Sequence, residues 1–94
     1  MQVHDIFLDN LPKIDLHGFD KESARVITND FINEAIYLGY KEIIIIHGIG
    51  TGIVKKSVHE TLSRNKHVES YKLDNFNNGC TRVILKIEGK YSSW

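Results

Sequence analysis

His47-Gly48-Ile49-Gly50-Thr51-Gly52 is a glycine-rich turn set between the apolar run Ile43-Ile44-Ile45-Ile46 and a helical pattern, and its residue types suit the holding of an anion. Glycines admit positive φ and let a ligand approach without hindrance from a Cβ. The helix that follows directs unpaired N–H groups and its positive dipole end at the turn. Phosphate is the natural candidate. Asp15 and His17 form the second constellation. Two residues apart on a strand, they share a face. A carboxylate so placed can orient an imidazole, and an imidazole titrates near neutrality, so it can take up and return a proton. His47 adds a second ring at the start of the turn. Each group alone also has an ordinary reading: Asp15 as a turn cap, His17 as a donor to a carbonyl, His47 as a strand terminus. Their convergence on one rim is what points to acid–base chemistry on a phosphate.

That convergence depends on the elements around it. Ile14-Asp15-Leu16-His17 alternates before Gly18 and predicts a short strand with one buried face. Asp20 suits an N-cap. From it Ala24, Ile27, Phe31, Ala35 and Leu38 recur at helical spacing, widened by Ile32 and Ile36, until Gly39 provides a C-terminal stop. Ile43 to Ile46 reads as a strand buried on both faces or central in a sheet. Val54, Val58 and Leu62 mark a second helix, Val68 to Leu73 a third strand, Asn77-Asn78-Gly79 a turn, and Thr81 to Ile87 a fourth strand. The order β-α-β-α-β-β predicts a two-layer α/β domain with both helices on one sheet face. Parallel first and second strands then bring Asp15, His17 and His47 to their carboxyl ends, where α/β sheets bind ligands. Residues 1–12 read as a lead-in packing through Phe7, Leu8 and Leu11, residues 13–88 as the domain, and 89–94 as a tail with Tyr91 and Trp94 available to dock.

Composition narrows the classes further. A chain of 94 residues, 41% hydrophobic and 26% charged, fits one small globular domain. The longest purely apolar run is four residues, so no membrane partner is expected, and the N-terminus lacks the pattern of a signal peptide. A cytoplasmic location is the default expectation. The lone Cys80 has no partner for an internal disulfide. Net charge is zero, yet residues 1–34 carry three basic and seven acidic groups and residues 41–67 five basic and two acidic. Lys55 and Lys56 stand near a helix N-terminus, where a cation costs about 0.3–1 kcal/mol in the first turn; a phosphodiester between loop and lysines would offset this. Arg82 and Lys86 could extend a basic track across the open sheet face. The loop is G-x-G-x-G, not the dinucleotide fingerprint, and no nucleoside-triphosphate motif or paired C-x-x-C occurs. No cofactor is called for. A metal on Asp15, His17 and His47 is a minor option, and no metal site is assigned.

Ile14-Asp15-Leu16-His17-Gly18, followed about thirty residues later by His47-Gly48-Ile49-Gly50-Thr51-Gly52, resembles the small MutS-related (Smr) domain over roughly residues 13–87. The first helix, the helix after the glycine loop and the turn Asn78-Gly79-Cys80-Thr81 take part in the resemblance. It implies a two-layer βαβαββ fold like the C-terminal domain of a bacterial translation initiation factor. The implied mixed sheet has order 1-2-4-3, with strand four antiparallel to the rest. It also implies RNA or DNA as partner, the ribosome among the settings, and in many members endonuclease activity, either nicking of DNA or cleavage of messenger RNA. Members that cleave carry Asp-x-His and Gly-x-Gly, which here fall on Asp15 with His17 and on Gly48 with Gly50. Some relatives have Arg where this chain has His17. The last turn offers Asn78-Gly79 in place of the usual paired glycines.

Combined with that resemblance, the residues predict an endonuclease for RNA, with DNA as the next substrate. His17 and His47 would share acid and base duties and Asp15 would orient one ring. The N–H groups of Gly48, Gly50, Thr51 and Gly52, with Lys55, Lys56 and Arg82, would hold the nucleic acid. The rival expectation is a binding module for DNA, RNA or the ribosome without catalysis.

Overall fold

The computed structural model of the chain describes residues 11–86. Phe7, Leu8, Ile87, Tyr91 and Trp94, given packing or strand roles above, lie outside the described residues. The elements are β1 (Lys13–Asp15), α1 (Lys21–Tyr37), β2 (Glu42–Ile46), α2 (Ile53–Arg64), β3 (Val68–Leu73) and β4 (Cys80–Leu85). The four strands form one mixed sheet in the order β1-β2-β4-β3, with β1 parallel to β2 and β4 antiparallel to both its neighbours. This is the α+β two-layer arrangement the resemblance implies.

Helix α1 begins where expected, with the Asp20 carboxylate accepting from the Ser23 N–H, and it ends before Gly39 at φ +86°. Its buried stripe runs through Ala24, Thr28, Ile32 and Ala35, while Ile27, Phe31 and Ile36 are only partly covered and Leu38 is exposed. The helix is thus turned relative to the apolar stripe read from sequence. Ile32 is the one large side chain of that stripe, and the other bulky residues flank it. In α2, Val54, Val58 and Leu62 are buried as expected. Ser57 and Thr61 are buried beside them, their hydroxyls donating to the Lys21 and Ser57 carbonyls.

Ile43 and Ile45 are fully buried and join Val83, Leu85 and the helices in one core. Each such side chain contributes about 1.5–3 kcal/mol on leaving water. Ile44 and Ile46 point to the other face and stay half-buried. The strand therefore alternates instead of burying both faces, because both helices lie on one side.

Register decides what shares an end of this sheet. Asp15 pairs with Ile46, and Ile46 pairs with Cys80. The β1–α1 turn, the β2–α2 loop and the β3–β4 turn therefore lie together at one rim. No helix among the described residues is long and apolar enough to cross a membrane.

Candidate active site

Asp15 ends β1 and His17 stands in the turn that follows. Asp15 Oδ1 accepts both the His17 backbone N–H at 3.1 Å and ring Nδ1–H at 2.6 Å. A carboxylate only accepts, so the proton between them belongs to Nδ1 and the ring presents Nε2 outward. Both side chains are open to solvent, His17 at 72% and Asp15 at 51%. The His17 ring, and after it the His17 backbone N–H, hold the Asp15 carboxyl below the usual carboxylate range. This dyad is accessible and pre-oriented.

The glycine loop lies directly against it. Gly48 adopts φ +81°, and a Cβ there would come within 3.1 Å of His17 Cβ, tighter than ordinary packing allows. The β3–β4 turn braces the loop from the far side. The Gly79 carbonyl accepts from the N–H groups of both His47 and Gly48, and a Cβ on Gly79 would meet Gly48 Cα at 3.4 Å. Asn78-Gly79 thus supports the loop with one glycine. The Gly48 N–H is committed there, whereas among the described residues the N–H groups of Ile49, Gly50, Thr51 and Gly52 have no acceptor and remain available to an anion. Gly52 caps α2 in the left-handed conformation at φ +85°, with no side-chain cap bond and no acid in the first turn. By contrast α1 has Asp20 and Glu22 at its start. The positive end of α2 is left uncompensated, a suitable place for an anion.

His47 stands elsewhere than the acid–base role expects. Its residue is 3% exposed. Nδ1–H donates to the Gly48 carbonyl at 2.9 Å, which leaves Nε2 as an acceptor, 2.8 Å from the Thr81 hydroxyl. His59 Nε2 lies 2.8 Å from the same hydroxyl and supplies the donor it needs. The hydroxyl therefore gives its proton to His47 and accepts from His59. The His59 ring packs edge-on between His47 and Tyr71, at centroid distances of 5.8 and 5.2 Å. Burial pushes the pKa of both histidines down, with Lys55 adding to the effect on each and His47 adding to that on His59. Both ring nitrogens of His47 have protein partners, so the ring ties the loop to β4.

The basic residues also divide. Gly48, Gly50, Thr51 and Gly52 line a cavity of about 620 Å³ together with His17 and His47. Lys55 and Lys56 open onto a different groove, beside His59 and Tyr71. Lys21, the first residue of α1, is the cation that lines the loop cavity. Arg82 is bound to Glu42 on the open sheet face, which cancels its charge and interrupts the expected basic track. Burial pushes the Cys80 thiol up, which keeps it protonated and inert. Among the described residues no group of three or more His, Cys, Asp or Glu side chains is placed to hold a metal ion.

A two-layer domain with this strand order, an Asp–His pair at the rim and a glycine loop behind it defines a class, and comparison with known proteins gives it a family. The model of the Smr domain matches residues 14–86, and the chain belongs to that family. It is 41% identical over 72 residues to the MutS2 endonuclease of Clostridium acetobutylicum, a match covering 77% of this chain and 9% of that protein. With the MutS2 endonuclease of Clostridium tetani it shares 41% over 73 residues, 78% of this chain and 9% of that one. The chain thus spans about a tenth of the length of these relatives. The crystal structure of the Smr domain of Thermus thermophilus MutS2 superposes with a TM-score of 0.79 at 30% identity, over 82% of this chain and all of that one. YdaL, a stand-alone small MutS-related protein from Escherichia coli, has the same fold, with a TM-score of 0.76 at 24% identity over 93% of this chain and 79% of YdaL.

Thr81, His59 and Lys21 are the site residues that sequence reasoning passed over. Lys21 had a local signal, since it follows the N-cap four residues after His17. Thr81 and His59 had none, because the link between them and His47 exists only after the sheet and α2 have packed.

Proposed function

We propose that this domain cleaves RNA at a phosphodiester, with Asp15 and His17 as its chemical centre. The observation that carries this reading is the exposed, pre-oriented dyad packed against a loop whose free N–H groups and uncompensated helix end suit a phosphate. His17 Nε2 takes the proton of a ribose 2′-hydroxyl, whose oxygen attacks the adjacent phosphorus. The 5′ oxygen leaves and gains a proton from solvent. Asp15 stabilises the imidazolium formed on the way. N–H groups from Ile49 to Gly52, with Lys21, stabilise charge on the phosphoryl oxygens, the dominant demand of such transfers. His47 serves by holding the Gly48 carbonyl, and so the loop, in place.

The products identify the route. RNA cut in this way carries a 2′,3′-cyclic phosphate and a 5′-hydroxyl, and a single 2′-deoxy nucleotide at the cut site blocks the reaction. Products with 5′-phosphate ends that form only with added Mg²⁺ would contradict it.

A further inference from the structure

We propose that the cavity beside the dyad seats one unstacked nucleobase, so that the domain takes single-stranded nucleic acid in preference to duplex. This rests on the nuclease reading above and names its substrate more closely. Phe19, Ile49 and Ile53 line the cavity and are 41%, 72% and 56% exposed. Their positions explain why folding leaves them uncovered. Phe19 lies in the turn between His17 and the Asp20 cap, Ile49 stands between two loop glycines, and Ile53 is the first residue of α2. None can reach the core. Single apolar side chains on a surface are ordinary, but three around one concave space beside polar, reactive groups have the make-up of a ligand site.

A phosphate alone has no use for that surface. At about 620 Å³ the cavity is of ligand-site size, and its lining combines His17 and the loop glycines with the apolar side chains. A nucleotide has the same two kinds of surface, its charged phosphate joined through one sugar to a flat, apolar-faced base. Lys21 and Asp20 both line the cavity, and the Asp20 carboxylate is tied to the start of α1 by the Ser23 N–H. In a duplex the bases are stacked inside and present only edges, so Phe19 would meet sugar and backbone. A base in a single strand or loop can turn outward and stack on an aromatic face.

The test is the affinity of the 94-residue chain for a labelled single-stranded RNA, made uncleavable by 2′-fluoro substitution, and for the same sequence in a blunt duplex, followed by fluorescence anisotropy. Phe19→Ala is expected to weaken single-strand binding about 10-fold or more and duplex binding by less than about twofold, while Phe19→Trp retains the wild-type affinity. One abasic nucleotide in the strand should reproduce the loss, and Phe19→Ala should add little to it. Ile49→Ser gives a second, independent perturbation of the same wall. Equal loss on both substrates, or none on either, overturns the base seat while leaving the nuclease reading intact. A wild-type chain without affinity for any nucleic acid removes both. Self-association in sedimentation that Phe19→Ala abolishes, with RNA affinity unchanged, would assign the patch to a second copy of the chain instead.

Discussion

Replacing Thr81 by valine removes one hydroxyl and keeps the shape of the side chain, and the consequences can be worked out atom by atom. The hydroxyl is fully buried and lies 2.8 Å from both His47 Nε2 and His59 Nε2. Without it His47 Nε2 becomes a buried acceptor with no donor, a defect that costs about 1–3 kcal/mol. His59 is only half-buried, so water can replace part of its lost bond, and the added methyl recovers a little transfer energy. The net destabilisation expected is about 2 kcal/mol. Thr81→Ser keeps the hydroxyl and deletes one methyl, for about 1 kcal/mol. In urea, with a slope of about 1 kcal/mol/M for a domain of this size, the midpoint falls by about 2 M for valine and about 1 M for serine. Nitrogen NMR of the rings should independently show the proton on Nδ1 of His47 and on Nε2 of His59. A valine variant as stable as the serine variant would refute the bridge.

Three further outcomes follow from the same geometry. Burial holds His47 and His59 below their ordinary value of 6.5, so between folded and unfolded pKa the unfolded chain binds more protons. Stability is full above about pH 6.5 and falls as the pH drops below it; urea midpoints that stay flat from about pH 7.5 to 5 would contradict this. The Thr28 hydroxyl is buried with no hydrogen-bond partner among the described residues, so Thr28→Val should stabilise the domain by about 1 kcal/mol, read as a rise in Tm of about 4–8 °C. Gly48→Ala forces a side chain into a left-handed backbone against His17 Cβ. The strain costs about 1–2 kcal/mol in urea melts, and cleavage should fall much further than stability because the dyad is displaced.

What sequence could disclose was governed by distance along the chain. The Asp20 cap and the Gly39 stop are settled within a few residues, and both were legible. The pairing of Asp15 with His17 was legible for the same reason, since the acceptor and the ring are two residues apart. The alternation in β4 showed its buried face, and the glycines around Ile49 showed the loop. His47 misled, because its partner Thr81 is 34 residues away and that contact requires β2 and β4 to pair first. Arg82 likewise looked free until the sheet placed Glu42 beside it, 40 residues distant. Lys55 and Lys56 follow the loop in sequence, but the helical turn carries them around to another groove. Thr28 took a core position that hydropathy alone assigned to its neighbours.

Cleavage and binding measured together on His17→Ala separate chemistry from recognition at the dyad. This exposed substitution should leave the fold and the salt-dependent affinity for single-stranded RNA near wild type, and lower the single-turnover cleavage rate by about 10²-fold or more. A His17→Ala variant that still cuts at the wild-type rate, or that loses binding and cleavage in equal measure, would contradict this.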